Sequence, residues 1–287
     1  MKYIFLIMLS SILFASECKD YKINSIFYQP LAKDSKIFQW DKKFQFMQKK
    51  GIKTLIIQWS QYGEYDFLED KQWLGNILQK AQQHHIKVVV GLYADDKYFV
   101  KLQNKETDVE NYLEELKKKN ILTAQKIMIQ AEQFSSFNGW YIYDEINDVH
   151  FRSKNKQVLL QLYLHKLALG LAEIKKQQVY ISGYFTMAMD PRDFAKMFSY
   201  ITSQEYIVLL QSGVGAGHVN LRESTIYMRE FAKHFSFKFV PIVESFKLIN
   251  NQVVAISDKK RCEEMDMFYK NISINEFSLF SLKYFYY

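Results

Sequence analysis

The chain has 287 residues, 48% hydrophobic and 24% charged, with a formal net charge of +7. This balance excludes an intrinsically disordered chain, and the length suits one α/β domain of barrel size. Three prolines and ten glycines, with no Pro/Gly/Ser-rich stretch, leave no linker at which to divide it.

The N-terminus reads as a signal peptide over residues 1–16: Lys2, the apolar run Tyr3–Phe14, then the small residues Ala15 and Ser16. Residues 17–287 are then one mature domain, expected to be periplasmic or secreted. No later stretch is apolar over bilayer length, so no stable membrane span is expected in the mature chain. The lysine runs Lys117–Lys119, Lys175–Lys176 and Lys259–Lys260 fall on predicted helices and read as solvated outer faces. The interleaved basic and aromatic pattern of a nucleic-acid platform is missing, so no nucleic-acid partner is expected, and the domain is expected to be a monomer. Cys18 and Cys262 are the two cysteines. In an oxidising compartment they either clasp the start of the domain to its last helix or remain two separate thiols.

In chain order, the first strand is predicted at Ile23–Gln29, followed by a helix at Lys36–Lys50 that Gly51 stops. A second strand, Thr54–Trp59, leads to a helix at Glu69–His85. A third, Lys87–Tyr93, leads to a long helical stretch at Asp108–Phe134. The fourth strand, Gly139–Glu145, precedes a helix at Asn155–Lys176 with leucines at helical spacing. Strand five is Val179–Phe185, and Asp190–Pro191 opens the next helix with proline at its tolerated first position. Strand six is Tyr206–Gln211, then a helix at Leu221–Phe235. Strand seven is Lys238–Glu244, in which Pro241 predicts a bulge. A helix at Asp258–Lys270 precedes strand eight, Glu276–Phe285. Strand followed by helix eight times predicts parallel strands with right-handed crossovers, closed into a (β/α)8 barrel.

Chemistry in such a barrel sits where strands end. The strand-end polar residues are Gln29, Gln58, Trp59, Tyr93, Asp144, Glu145, Tyr184, Gln211, Glu244 and Tyr284. Two carboxylates on strands four and seven, Glu145 and Glu244, match what glycosidic bond cleavage needs: one carboxyl to protonate the leaving oxygen, one to attack the anomeric carbon or activate water. Amides pair with sugar hydroxyls and aromatic faces stack on pyranose C–H surfaces. Gln58, Gln211 and Tyr93 are therefore expected to hold hydroxyls, and Trp59, Tyr93, Tyr184 and Tyr284 to stack, with Gln29 and Asp144 beside them. His218, in the loop after strand six, is the one histidine placed to touch substrate. Gly213–Gly217 (GVGAG) reads as a rim loop and lacks dinucleotide-binding spacing. The six histidines show no zinc spacing, and no nucleophile elbow is present. The reaction requires no metal or organic cofactor.

The blocks FYQP at Phe27, MQKKGIKTLIIQWSQYG at Met47–Gly63, VVVGLY at Val88–Tyr93, GWYIYDEIND at Gly139–Asp148, LLQSGVG at Leu209–Gly215 and VESF at Val243–Phe246 resemble, in that order, the bacterial family called domain of unknown function 4434. The resemblance implies a glycoside-hydrolase-like TIM barrel in an exported or envelope setting. It places Glu145, Glu244, Gln58 and Gln211 on family glutamates and glutamines. The family often carries an acid where this chain has Ser212. A looser likeness to glycoside hydrolase clan A implies a retaining enzyme with Glu145 as acid/base and Glu244 as nucleophile, although Asp144 stands where those enzymes commonly have asparagine. The expectation is a carbohydrate substrate. The alternative is a non-catalytic glycan-binding or envelope polysaccharide-assembly protein using the same cleft.

Overall fold

Eight parallel strands form a closed ring: β1 (Lys22–Tyr28), β2 (Thr54–Ile57), β3 (Lys87–Gly91), β4 (Phe137–Asn147), β5 (Gln178–Tyr184), β6 (Tyr206–Gln211), β7 (Phe239–Glu244) and β8 (Glu276–Phe280). β8 pairs with β7 on one side and with β1 on the other, which closes the barrel. The computed structural model describes residues 21–31, 39–250 and 252–286. The signal-peptide segment, Cys18 and the start of the predicted first helix lie outside the described residues. Cys262 is disulfide-bonded, and no described cysteine is free.

Helices α1 (Trp40–Lys49), α2 (Trp73–Gln83), α4 (Val109–Ala131), α5 (Lys154–Ile174), α6 (Pro191–Ile201), α7 (Leu221–His234) and α8 (Asp258–Ile272) alternate with the strands, and a short α3 (Tyr98–Gln103) precedes α4. Several starts are written locally. The side chains of Asp108, Asp190 and Ser257 each accept a backbone N–H of the first turn, and Asn220 and Glu223 form a reciprocal capping box. Each such cap stabilises its helix by about 1 kcal/mol.

Side chains alternate across every strand, so one set fills the barrel and the other faces the helices. Phe27, Ile56, Val89, Tyr141, Leu209, Val240 and Ile242 pack together as the barrel interior. Ile26, Ile57, Val88, Val90, Trp140, Ile142 and Val243 join the larger core beneath the helices. No helix among the described residues is long and apolar enough to cross a membrane.

Three expectations are corrected. Strand eight stops at Phe280 and the chain turns into α9 (Leu282–Phe285). Leu282 is buried and Phe285 packs on Phe46 of α1 at 5.3 Å, so packing on the outer layer overrides the β-like pattern of the last residues. Pro241 makes no bulge, because its register with Leu210 is regular. The Ile242 carbonyl accepts Ser212 N–H on the β6 side, so Pro241 turns its missing donor toward β8, whose pairing starts only at Ile242. Strand three ends at Gly91, and Tyr93–Ala94 instead pairs with Gln61–Tyr62 in a small sheet over the rim.

Candidate active site

Glu145 and Glu244 meet at the C-terminal mouth of the barrel, on either side of the end of β6. Gln211, the last residue of β6, donates its side-chain amide to Glu145 Oε1 at 2.8 Å. Four residues on, Gly215 and Ala216 donate backbone N–H groups to Glu244 Oε2 at 2.7 and 3.2 Å. Glu145 continues the interior face of Tyr141 and Tyr143 and is partly exposed, whereas Glu244 is 3% exposed. Between Ile142 and Ile146 the pairing of β4 with β5 slips, so Glu145 lies in an irregular stretch. Such irregularities re-aim side chains at barrel rims.

Burial pushes Glu145 up to about 7, the nearby Glu244 charge adds to this, and the Gln211 amide opposes it. Burial also raises Glu244 to about 7 against the pull of the Ala216 and Gly215 amides and the Ser212 hydroxyl. Glu244 thus has three groups that favour its anion, and Glu145 has one. The donors therefore favour the anion on Glu244 more than on Glu145. The backbone allows this because Gly215 has no side chain. A Cβ there would sit 2.4 Å from the Phe246 carbonyl oxygen and 2.6 Å from Glu244 Cβ.

Other expected residues lie at neighbouring strand ends. Gln58 follows the interior-facing Ile56 by two positions, is 4% exposed, and its Oε1 has no hydrogen-bond partner. Trp59 donates its indole N–H to the Pro30 carbonyl at 3.2 Å and meets the Tyr143 ring edge-on at 5.4 Å. Tyr184 accepts a hydrogen bond from the Asn147 amide and stacks on the exposed His218 ring at 5.6 Å. Burial raises the Tyr184 hydroxyl to about 12, and the Glu145 charge adds to this. Gln29 is half-buried just beyond β1.

Two residues are not brought to the mouth, and a third comes from a helix. Asp144, next to Glu145, points the opposite way: it is 1% exposed and accepts the Tyr163 hydroxyl of α5. Burial raises its carboxyl to about 7, and Oδ1 has no partner. Tyr93 turns outward to α4, where its hydroxyl accepts from the Lys119 ammonium at 3.1 Å and its backbone N–H is held by Asn120. Tyr284 rides on α9 rather than on a strand and packs against Phe246 at 5.5 Å. Sequence reading missed the amides of Gly215 and Ala216, because backbone donors have no residue signature. It also missed Phe99, which meets Tyr184 at 6.0 Å and His150 at 5.6 Å, because Phe99 comes from a loop helix and not a strand end. Among the described residues no group of three His, Cys, Asp or Glu side chains is arranged to hold a metal ion.

Comparison with known proteins agrees with this architecture. The chain is 26% identical over 215 residues to the uncharacterized protein YbcH of Escherichia coli K12, covering 74% of this chain and 72% of that protein. Its fold is similar to that of a candidate alpha-L-fucosidase from Bacteroides thetaiotaomicron VPI-5482, with a TM-score of 0.68 at 17% identity, over 95% of this chain and 91% of that one. It is also similar to an intracellular xylanase from Thermoanaerobacterium saccharolyticum, with a TM-score of 0.53 at 14% identity, over 92% and 86% of the two chains. The model of the family DUF4434, Domain of unknown function, matches residues 23–283, and the chain belongs to that family.

Proposed function

We propose that this protein is an exported glycoside hydrolase that cleaves a poly- or oligosaccharide with retention of configuration. The observation that carries the reading is the placement of two carboxyls raised to about 7 on opposite sides of the β6 end, with amide donors biasing the charge toward Glu244. In the first step the Glu145 proton passes to the glycosidic oxygen as its bond to the anomeric carbon breaks. Glu244 forms an ester bond to that carbon. In the second step a water gives its proton to the Glu145 carboxylate, and its oxygen displaces Glu244. Gln58 and Gln211 would hold hydroxyls, and the Tyr184–His218 pair would border the sugar. The likeness in fold to glycosidases and the signal-peptide pattern of residues 1–16 support substrate class and export respectively.

The test is hydrolysis of a glycan panel by the mature protein, with Glu145→Gln and Glu244→Gln alongside. Loss of turnover by about 100-fold or more in both variants is expected. Equal turnover in all three proteins ends the catalytic reading. Glycan binding without turnover by the unmodified protein would replace it with a binding role. Proton NMR of the first-formed sugar anomer tests retention.

A further inference from the structure

Asn147 ends β4 fully buried, and Tyr184 ends β5 directly beside it in the register of the two strands. The orientation of the Asn147 amide is fixed. Its Oδ1 accepts the backbone N–H groups of Val149 and His150 at 3.0 and 2.8 Å, so that atom is the carbonyl oxygen. Nδ2 is thereby turned to the Tyr184 hydroxyl, at 3.2 Å. An amide nitrogen donates and cannot accept, so the Tyr184 oxygen accepts here and keeps its own proton to give. Among the described residues nothing accepts that proton. His150 completes the arrangement. Its Nδ1 lies 2.8 Å from the same Asn147 Oδ1, which places the ring proton on Nδ1, and Nε2 is buried with no partner. Strand alternation says where the free hydroxyl stands. Tyr180 packs on the barrel interior, and the Ser182 hydroxyl bonds the interior Tyr141 hydroxyl at 2.7 Å. Tyr184 comes next on that face, at the rim, as Glu145 does above Tyr141 and Tyr143 on the neighbouring strand.

We infer that Tyr184 is a specificity-determining residue that donates its hydroxyl proton to a sugar oxygen at the mouth, and that Asn147 and His150 are the positioning residues that aim it. The sugar rests on the glycosidase reading above; the direction of the hydrogen bonds does not. The donors on Asn147 Oδ1 polarise its amide, and Nδ2 in turn polarises the Tyr184 O–H, so the last link is the stronger donor. The ring itself has less to offer. The exposed His218 lies parallel to it, at 17°, and Phe99 meets it nearly perpendicular, at 77°. With His218 stacked on the ring, the hydroxyl is the part of Tyr184 left to recognise a ligand. A single aimed donor selects for a saccharide with an acceptor oxygen at one position, and selects against the analogue that lacks it.

The experiment has two arms, both on the full mature chain. The first needs no ligand. Tyrosines are labelled with carbon-13 at Cζ, and the Tyr184 signal is identified by its loss in Tyr184→Phe. Asn147→Asp keeps the shape and keeps an acceptor for the Val149 and His150 N–H groups, but puts a carboxylate oxygen where Nδ2 was. The Tyr184 hydroxyl is then expected to reverse and donate to that oxygen, which moves its Cζ signal downfield while the other tyrosine signals stay in place. An unmoved Tyr184 signal overturns the inference. The second arm uses a glycan that the panel shows to be cleaved. Tyr184→Phe is expected to lower kcat/KM about tenfold, and Asn147→Asp by a similar factor, because it redirects the proton and leaves the ring where it is. The double variant is expected to lose no more than either single one. Among deoxy analogues of the glycan, one is expected to be cleaved equally by the unmodified enzyme and Tyr184→Phe. Unchanged kcat/KM in Tyr184→Phe also overturns the inference. If no glycan is cleaved but Asn147→Asp moves the Tyr184 signal, the glycosidase reading falls and the aimed donor stands.

Discussion

Gln211 ends β6 with its side-chain amide on Glu145 Oε1, at 2.8 Å, so one of the two strands between the glutamates also holds one of them. This amide opposes the burial that raises Glu145. Removing it in Gln211→Ala leaves burial and the Glu244 charge unopposed. The Glu145 midpoint is expected to rise, and the alkaline limb of a pH–rate profile to move to higher pH. Turnover is expected to fall by about tenfold, from lost positioning of the acid. An unmoved alkaline limb would show that Gln211 does not act on Glu145.

The loop after β6 holds the other glutamate through backbone alone. Gly215 needs space, since an added Cβ meets the Phe246 carbonyl oxygen at 2.4 Å and Glu244 Cβ at 2.6 Å. Gly215→Ala is expected to displace the two N–H donors from Glu244 and to cut turnover by about 10-fold to 100-fold, the range for a misplaced group. Circular dichroism is expected to show the barrel still folded. Full activity in the alanine variant would mean that the donors are not needed.

Asp144 neighbours Glu145 in sequence but is buried against α5. Its contact is the Tyr163 hydroxyl of α5, in a layer where Tyr98 and Asp144 both have a buried oxygen without a partner. Tyr163→Phe removes that donor and is expected to destabilise the fold by about 1–3 kcal/mol. Denaturant midpoints measure it. Sugar KM is expected to be unchanged, and a weakened KM at full stability would instead place Asp144 at the substrate.

Three glutamates with raised carboxyls also set a pH dependence of stability. Glu145, Glu244 and Glu264 are raised from 4.5 to about 7, 7 and 8. The folded state therefore binds more protons than the unfolded state above the ordinary glutamate range. Their stabilising effect is complete below pH 4.5 and is lost as pH rises through about 7 to 8. His150, lowered by burial, acts in the opposite sense. Replacing one glutamate isolates its share. Glu264→Gln is expected to raise the thermal midpoint relative to the unmodified protein by about 2 °C or more at pH 8, and by less at pH 5. Equal gains at both pH values would mean that Glu264 ionises normally.

Much of this was legible along the chain, and the reasons are local. The alternation in GWYIYDE puts Glu145 on the face of Tyr141 and Tyr143, and Asp144 on the face of Trp140 and Ile142. That follows from the two-residue period of a strand, and the structure keeps it. Helix starts at Asp190–Pro191 and Leu221 were readable because a cap is a short-range bond. The same logic failed where the partner is remote. Tyr93 looked like a strand-end ring, yet Lys119 and Asn120 of α4 draw it outward. Tyr284 looked like a continuation of strand eight, yet the chain leaves the barrel at Phe280.

The sequence by itself determined the repeat of strand and helix, which side chains share a face with Glu145 and Glu244, and the presence of glutamates at two strand ends. These depend on periods of two and 3.6 residues, which neighbours along the chain set. Only the tertiary structure decided that Glu145 and Glu244 share one mouth, and that Gln211 and Gly215 divide the task of holding them. Burial and through-space charge act between residues far apart in sequence, and ring closure is what brings them together.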